Sequence, residues 1–500
     1  MCLAAVLALF HVSACSRLSP PDESNIDVRI GFGLTAGPQR DHALLVLESY
    51  LYSEALVSQG WNGRPTARIA EDWTWSEDGL TLEVRIREGL QFHDGSPVTS
   101  HGVAATLAAY QAGIGPGYVG GFRHVRSITA PDERTVVIHL DKPDSFLVGE
   151  LTEITVQAPH DPRVSTGPFR LVPGGEAIRA ERYDDYYLGR PAITSISIIP
   201  FDSQRSAWAA LMRGEIDVVQ EIQRDAVEFM EGSTQIRTYS SLRPFYIPLV
   251  FNLRHPILRN VEVRRALNEA VDRAEIVRDA LRGFAQVADD PIWPAHWAHS
   301  GAARRYSHNP EAARLRLERA GFPIRPLRSE QMASRFQLTC LFWSEDPQFE
   351  RIALLLQRQL AGVGVDLQLT GMSLQTLVAH AGSGRFDAVL LPMSSGRSMN
   401  TNYAFWRSPE TAAATRLNTG YTGADAVLDH LRTVRSDAEV RTAVADLQQR
   451  FYEDAPAVFI AWQETTRAVD ARIDVSDGSE PDVFFNIRRW RPAAPQKAGR

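Results

Sequence analysis

The sequence predicts an α/β protein built from two lobes, and three observations lead to this prediction. The chain has 500 residues, which is too long for one compact core. In its second half, strand-like and helix-like segments alternate, a pattern typical of a mostly parallel sheet covered by helices on both faces. Near the middle, the apolar run 249–253 ends in a polar turn and an amphipathic segment follows, so one lobe is expected to end there.

The opening elements follow from hydrophobic spacing. We predict a strand at 28–32, a glycine-rich loop at 33–38 and a helix at 43–52 with leucines along one side. Apolar and charged residues alternate at 82–86, which indicates a half-buried strand that follows a tight hairpin turn. A helix is predicted at 103–110.

The segment between the lobes is predicted to contain one long helix. Asn260 stands where an N-cap opens a helix, and Gly283 stands where a left-handed glycine ends one. Apolar residues between them are spaced to face a core. Charged residues are expected on the other faces of this helix, namely Arg264, Arg265, Glu269, Asp272 and Arg273.

The second lobe continues the strand and helix alternation. Cap residues and breaking glycines mark most of its helices. The predicted elements are a helix from Asn309 to Gly321, a strand at 338–342, a helix from 349 to 360 ending at Gly362, a strand at 365–369, a helix capped by Ser373, and a strand at 386–391. The C-terminal residues 492–500 are predicted to be disordered.

The composition excludes several classes of protein. Hydrophobic residues make up 44% and charged residues 23% of the chain, as in an ordinary folded protein. The 53 Lys and Arg residues against 60 Asp and Glu give a formal net charge of -7. A mildly acidic chain without a basic run lacks the positive surface that nucleic-acid binding requires, so we expect no nucleic-acid partner.

The N-terminus predicts export. Residues 3–12 form an apolar run too short to span a bilayer, and Ser13 and Ala14 precede Cys15 as in a bacterial lipobox. We therefore expect a lipid on Cys15 and a polar tether at 16–26, although an ordinary signal peptide cleaved nearby is an alternative. No later segment has the length and apolarity of a transmembrane helix.

The cysteines predict a fold without disulfides. The three cysteines are Cys2, Cys15 and Cys340, and the first two lie in the leader. Cys340 lies in an apolar strand-like run, so we expect a small core residue and not a nucleophile.

Several motifs occur in a characteristic order. Ala-Glu-x-Trp occupies 70–73, and Phe-His-Asp-Gly-x-Pro occupies 92–97. Ser-Thr-Gly-Pro-Phe follows at 165–169, and Leu-x-x-Gly-Glu-Ile-Asp at 211–217. This order resembles the extracytoplasmic solute-binding proteins of peptide and nickel ABC importers, family 5, and the resemblance extends over about 28–461.

The resemblance implies the two-lobed periplasmic binding protein fold of class II, type C, with an extra subdomain in the N-terminal lobe. In that fold, mixed sheets are covered by helices, and a ligand cleft lies between the lobes. The resemblance also implies a monomeric receptor that delivers a peptide-like or other small solute to an ABC permease, with no reaction and no cofactor. The expected segments are 1–15 for a signal peptide with lipobox, 16–26 for a linker, 27–50 with 165–253 and 465–491 for the core of lobe I, 51–164 for its extra subdomain, 254–464 for lobe II, and 492–500 for a tail.

Candidate ligand-binding residues follow from the expected cleft. Loops at the carboxyl ends of strands form the walls of such clefts, and aromatic faces with a few polar groups are typical of their linings. A tryptophan at a strand end can instead pack against the core. The candidates are Thr35, Thr166, Gly167, Trp343, Glu345, Met393 and Arg397.

One departure from the family pattern bears on the ligand. In peptide-binding relatives, an aspartate after the strand matching 386–391 pairs with the amino terminus of the peptide. The matching position here is near Gly396, beside Arg397. A buried ammonium without a partner is costly, so we expect an anionic or neutral ligand rather than a free peptide amino terminus. A shifted alignment would assign this role to Asp425 or Glu410 instead.

Enzyme and metal sites are not predicted. The sequence has no P-loop, no His-Glu-x-x-His and no Gly-x-Ser-x-Gly motif. The aspartate at position 94 is explained better by a structural role in the Asp94-Gly95 turn than by acid-base catalysis. His296 and His299 have a possible metal-ligand spacing, but a structural role is favoured. An exported hydrolase and a sensory or chaperone-like binding module are the alternative functions.

Overall fold

The computed structural model describes residues 26–33, 44, 47, 50–113, 122–174, 177–222, 224–230, 232–324, 334–409, 416–475 and 481–494. The predicted leader, Cys15 and Thr35 lie outside these residues. In the described part of the chain, no helix combines the length and apolarity needed to cross a bilayer.

One twelve-stranded mixed sheet extends through both lobes. Along its main path the order is Phe169–Val172, Ile178–Arg182, Ser195–Pro200, Asp27–Phe32, Val218–Val219, Ala457–Asp470, Ile236–Phe251, Ala388–Leu390, Phe336–Trp343 and Val365–Met372. Two further strands pair beside this path, Ala285–Val287 and Met393–Ser394. The first strand is parallel to both of its neighbours, and so is Phe336–Trp343, whereas most other pairs are antiparallel.

Two long strands carry the chain between the lobes. These crossing strands, Ile236–Phe251 and Ala457–Asp470, pair antiparallel, and their register shifts between Leu242 and Tyr246. One half of the pair joins the sheet of lobe I and the other half joins the sheet of lobe II. Residues 249–251 of the predicted strand 249–253 are therefore the last part of a longer element, which ends at Phe251, and the chain changes lobe within that element.

The extra subdomain has its own sheet and core. Its four antiparallel strands are ordered Ala70–Trp75, Thr81–Ile86, Thr135–Leu140 and Val125–Thr129. Leu82, Val84 and Ile86 are buried, whereas the charged residues between them are exposed, as the alternation predicts. The helix Ser100–Gln111 packs on this sheet and is capped by Thr99.

The remaining elements are short strands and helices. The strands are Glu54–Ala55, Val57–Gln59, Pro65–Ala67, Thr155–Val156, Ile473–Asp474 and Arg491–Pro492. The described helices besides Ser100–Gln111 are Leu147–Glu150, Gln204–Met212, Arg224–Met230, Val261–Ala270, Arg273–Glu275, the π-helix Ile276–Ala280, Pro310–Arg319, Pro347–Ala361, Leu374–Ser383, Met399–Trp406, Asp425–Thr433, Asp437–Asp454 and the 3-10 helix Val483–Arg489. The predicted caps Asn260, Asn309 and Ser373 each accept a backbone N–H of the first turn.

The prediction of one long helix from 261 to 283 is wrong. The first helix ends at Ala270, and Val271 has an extended backbone. The Asp272 carboxylate then accepts the backbone N–H of Glu275 and starts a new short helix. An aspartate at this position therefore acts as a second N-cap, which periodicity alone does not reveal.

Arg264 and Arg273 are also placed differently from the prediction, because both are buried and not on a solvated face. The Arg264 guanidinium donates to the backbone carbonyl of Asp454 at 2.9 Å. Arg273 donates to the backbone carbonyl of Phe459 at 2.6 Å. These arginines satisfy carbonyl groups at the end of a helix and on a crossing strand, which explains why they are not solvated.

The prediction of a disordered tail is wrong at its start. Arg491–Pro492 pairs with Ile473–Asp474, and the backbone N–H of Ala493 donates to Arg472 at 2.7 Å. Trp490 directly before this strand is fully buried. Residues 495–500 lie outside the described residues.

The subdomain contacts lobe II through a buried charged cluster, the interface triad of Asp144, Glu150 and Arg432. Arg432 donates through Nε at 2.8 Å and through a terminal nitrogen at 2.6 Å to the same oxygen of Asp144. Its terminal nitrogen lies 3.5 Å from Glu150. The neighbouring Ser145 N–H donates to the Arg432 carbonyl at 2.8 Å.

A tight turn at 60–63 makes a further contact between these parts. The indole N–H of Trp293 donates to the Trp61 carbonyl at 2.7 Å, and the Trp297 N–H donates to Asn62 at 2.9 Å. Gly63 has φ of 80°, and a Cβ there would lie 2.1 Å from the Arg397 carbonyl. Glycine is required because the backbone is left-handed and the loop carrying Arg397 lies directly against it.

Candidate functional site

A cavity of about 330 Å³ lies where lobe I, the extra subdomain and one loop of lobe II meet. The subdomain and lobe I provide most of its wall, and Arg397 is the contribution of lobe II. Charged and hydrogen-bonding side chains in the wall include Glu54, Arg68, Glu153, Tyr186, Arg397 and Arg488. A cavity of this size accommodates a small polar solute.

Glu54 is the carboxylate most firmly held in this wall. The Tyr186 hydroxyl donates to one carboxylate oxygen at 2.7 Å, and the Thr166 hydroxyl donates to the other at 3.2 Å. Burial raises the pKa of Glu54, and these hydrogen bonds oppose that rise. Glu54 is thereby fixed in place by Thr166, which lies in residues 165–169, here called the return segment, and by Tyr186.

Arg397 reaches the cavity between two aromatic rings. Its guanidinium carbon lies 3.9 Å from the centre of the Phe485 ring and 5.0 Å from that of Trp61. Stacking on aromatic faces orients a guanidinium and leaves its edge available for hydrogen bonds. The protein packed around Glu153 raises its pKa, and the positive charge of Arg397 opposes that rise. One cation and one carboxylate are therefore coupled in this part of the cavity.

Arg68 and Arg488 form the other charged part of the wall. Arg68 follows the short strand Pro65–Ala67, and Arg488 lies in the 3-10 helix Val483–Arg489. Burial lowers the pKa of Arg488, and the positive charges of Arg489 and Arg68 lower it further. Like charges are therefore held near each other at a cavity wall.

The Phe-His-Asp-Gly-x-Pro motif supports the cavity from behind. The His93 backbone N–H donates to the Ser165 carbonyl, and its ring Nε2 donates to the Gly167 carbonyl, both at 2.9 Å. The Asp94 carboxylate accepts the backbone N–H of Ser96 at 2.9 Å, which confirms the turn interpretation of this motif. The motif therefore joins the subdomain to the return segment.

Three of the predicted ligand-binding residues lie at or directly behind the cavity. Arg397 lines it. Thr166 bonds Glu54 from behind the wall. The Gly167 N–H donates to the Tyr52 carbonyl at 2.9 Å, and a Cβ at Gly167 would lie 2.5 Å from the Tyr52 carbonyl carbon. Gly167 thus allows the return segment to pack against the chain that enters the cavity.

The other candidates do not line this cavity. The Trp343 indole donates to Glu345 at 3.1 Å, and Glu345 also accepts the Leu374 N–H at 3.0 Å. Met393 is only 2% exposed and lies in the apolar core, where the Tyr246 hydroxyl is 3.9 Å from its sulfur. These side chains have structural partners within lobe II.

The sequence did not predict most of the charged and hydrogen-bonding residues that line the cavity. Glu54 lies in the segment Tyr-Ser-Glu-Ala-Leu at 52–56, and no ligand-binding role was predicted for it. Arg68, Tyr186 and Arg488 stand in no recognisable pattern. Their side chains become neighbours only because three separate parts of the chain converge at this wall.

Gly396 occupies the position in the loop after 386–391 at which the resemblance implies an aspartate in peptide-binding relatives. Gly396 has φ of 60°, and a Cβ there would lie 2.3 Å from the Thr401 hydroxyl oxygen. A longer side chain at this position requires the neighbour to move. The alternative Asp425 accepts the backbone N–H of Ser408 at 2.8 Å, and Glu410 lies outside the described residues.

The two histidines with metal-ligand spacing have structural partners. His296 Nδ1 accepts the backbone N–H of Ala298 at 3.2 Å, and His299 Nε2 lies 3.0 Å from the Gln448 amide. Within the described ranges, no group of three His, Cys, Asp or Glu side chains is arranged to hold a metal ion. Cys340 is fully buried, as predicted, and burial raises the pKa of its thiol to about 12.

His296 predicts a loss of stability in acid. Burial, together with the charges of His299 and Arg64, lowers its pKa from 6.5 to about 4. Below pH 6.5 the unfolded chain takes up a proton that the folded chain does not, so the free energy of unfolding falls from pH 6.5 down to about pH 4. Urea unfolding of wild type and His296→Asn between pH 6.5 and pH 4 tests this prediction. The free energy of unfolding of the variant should depend less on pH. Equal slopes for the two proteins would contradict it.

Comparison with known proteins identifies the family. The model of the bacterial extracellular solute-binding proteins, family 5, matches residues 64–414. The glutathione-binding protein GsiB of Pectobacterium atrosepticum is 26% identical over 449 residues, which cover 84% of each chain.

Solved structures show the same architecture. The ABC transporter substrate-binding protein CtaP from Listeria monocytogenes has a TM-score of 0.80 at 20% identity, covering 94% of this chain and 99% of its own. NikA from Brucella suis, solved with Fe(III)-EDTA, has a TM-score of 0.79 at 21% identity, covering 93% and 100%. The predicted two-lobed periplasmic binding protein fold with mixed sheets is confirmed. This chain belongs to the bacterial extracellular solute-binding proteins of family 5.

Proposed function

We propose that this protein is the solute-binding receptor of an ABC importer and that it holds its solute in the cavity bounded by Glu54, Arg68 and Arg397. The observation that carries this proposal is a cavity of about 330 Å³ whose walls come from both lobes and carry charges of both signs. A solute that contacts both lobes stabilises the form in which they lie together. Binding and release then require relative movement of the lobes, and no covalent step.

We infer the class of solute from the chemistry of the cavity lining and from the ligands named for similar proteins. Carboxylate, guanidinium and hydroxyl groups favour a small polar molecule with charged ends. A curated relative binds glutathione, by its name, and a solved neighbour holds a metal chelate. We therefore propose a peptide-like or similarly charged solute for this chain, and a membrane permease as the partner that receives it.

The membrane attachment is a separate part of the proposal. A lipid on Cys15, followed by the polar tether 16–26, keeps the receptor near its permease. The receptor acts as a monomer in this proposal. Cys15→Ser is expected to release the protein from the membrane fraction. Fractionation followed by immunoblotting tests this, and a variant that stays in the membrane fraction would contradict the anchor.

The solute itself is tested by mass spectrometry of molecules released when the purified protein is denatured. The expected result is a small polar compound in near-stoichiometric amount. Isothermal titration with glutathione and trialanine then measures binding directly. Release of no compound and heat from neither probe would contradict a receptor, whereas turnover of a probe into products would favour the hydrolase.

Arg397 provides a prediction at the cavity wall. Arg397→Gln removes the charge that lies between Phe485 and Trp61, so the affinity for the bound solute should fall at least tenfold. Arg213→Gln is the matched control, because Arg213 is exposed and pairs with Glu215 elsewhere in lobe I. Titration calorimetry measures both. Unchanged affinity in Arg397→Gln would place the solute elsewhere.

A second titration tests whether the site lacks a partner for a free amino terminus. If trialanine binds and N-acetylated trialanine does not, that expectation is contradicted.

A further inference from the structure

We propose that Arg68 and Arg488 form an anion subsite that binds a carboxylate of the solute. This inference rests on the proposed receptor function and assigns one part of its cavity. Both arginines line the cavity, and each comes from a different part of the chain. Bidentate guanidinium–carboxylate pairing is the interaction that such residues form best in a partly dry site.

The two arginines are held by their surroundings. Neither Arg68 nor Arg488 is fully exposed. The backbone carbonyl of Arg68 accepts the Arg87 side chain Nε–H at 2.5 Å, which fixes the backbone at this point. Arg488 follows Ile487, which is 3% exposed, and precedes the buried Trp490 by two positions. The 3-10 helix is thus anchored on the core and presents Arg488 at the wall.

Three arginines and two glutamates line the cavity, so its wall carries more basic than acidic side chains. Arg397 and Glu153 line another part of the same wall. Glu54 interacts electrostatically with both Arg68 and Arg488.

Glu54 compensates only one of the two positive charges. Its two oxygens already accept the hydroxyl hydrogens of Tyr186 and Thr166. Burial also favours its protonated form. An excess of positive charge therefore remains at the Arg68 and Arg488 wall, and the repulsion between the two guanidinium groups is relieved when an anion lies between them.

The geometry also limits the type of anion. The cavity holds a molecule of modest size, and the rest of its lining combines hydrogen-bonding side chains, Arg397 with Glu153, and apolar residues such as Val57 and Ile487. A carboxylate on an otherwise polar organic molecule fits this arrangement. A solute without any anionic group leaves the excess positive charge uncompensated.

The test compares acids with their neutral derivatives. Glutathione and trialanine are titrated into the full protein, next to glutathione diethyl ester and trialanine amide, whose carboxylates are neutralised. We expect the acid of at least one pair to bind ten times more tightly or better than its neutral partner. Arg488→Gln and Arg68→Gln should reduce this preference to less than threefold, whereas the exposed control Arg213→Gln should keep it.

The outcomes separate this subsite from the receptor function. If the acid and its neutral partner bind with equal affinity in both pairs, or if both variants keep the preference, the anion subsite is contradicted and the receptor function stands. If mass spectrometry of the released solute identifies a compound without an anionic group, the subsite is also contradicted. If no probe binds and no compound is released, the receptor function itself fails.

Discussion

Replacing Arg432 with methionine lowers the free energy of unfolding by about 3 to 5 kcal/mol, because Asp144 is left buried without its cationic partner. Asp144 is 3% exposed, and both bonds from Arg432 end on one of its oxygens. Methionine is nearly as long as the arginine stem, so the loss reflects charge more than volume. Urea unfolding at pH 7 measures the effect. A loss below 1 kcal/mol would contradict a structural role for the interface triad.

Glu150→Gln tests the second carboxyl group of the interface triad through the pH dependence of stability. Burial, and then the charge of Asp144, raise the pKa of Glu150 to about 8, while Arg432 opposes the rise. Above pH 4.5 the unfolded chain releases a proton that the folded chain keeps, so wild-type stability falls as pH rises toward 8. Glutamine mimics the protonated acid and should remove this part of the pH dependence. Wild type and variant with identical pH profiles would contradict the assignment.

Gly167→Ala is expected to lower the free energy of unfolding by about 1 to 3 kcal/mol and to weaken solute binding. The new methyl group would lie 2.5 Å from the carbonyl carbon of Tyr52 and 2.8 Å from the carbonyl oxygen of Leu51. These are backbone atoms, which cannot rotate away, so the chain that enters the cavity must shift. Thermal unfolding and titration calorimetry measure the two effects.

Gly301→Ala is the control for this substitution. A Cβ at Gly301 meets no atom within 4 Å, and its φ lies outside the left-handed region. The change should alter stability by less than about 0.5 kcal/mol and leave binding unchanged. If Gly167→Ala behaves like Gly301→Ala, the close packing of the return segment is not important for the cavity.

Local signals predicted much of the secondary structure. Asn260, Asn309 and Ser373 cap helices as predicted, because capping involves only the side chain and the next three backbone N–H groups. The buried and exposed alternation in Thr81–Ile86 also follows from strand geometry alone. The helix predicted from 261 to 283 failed because a capping aspartate within it competes with the periodicity of its apolar residues.

The candidate site was harder to predict. Arg397 was found because it follows a strand end in lobe II, where the walls of clefts lie. Met393 was chosen by the same rule and lies in the core, because successive residues of an extended segment point in opposite directions. A rule about loops therefore identifies the segment and does not select the side chain.

The sequence alone indicated the family, several helix caps and the alternation of individual strands, since motifs, caps and alternation depend on neighbours in the chain. Tertiary structure decided which charges meet. Glu54 and Arg488 come from opposite ends of the chain and line one cavity. Arg264 and Arg273 have polar side chains but are buried, because backbone carbonyls from distant segments accept their hydrogen bonds. Burial and charge pairing depend on three-dimensional proximity, which hydrophobic periodicity along the chain does not contain.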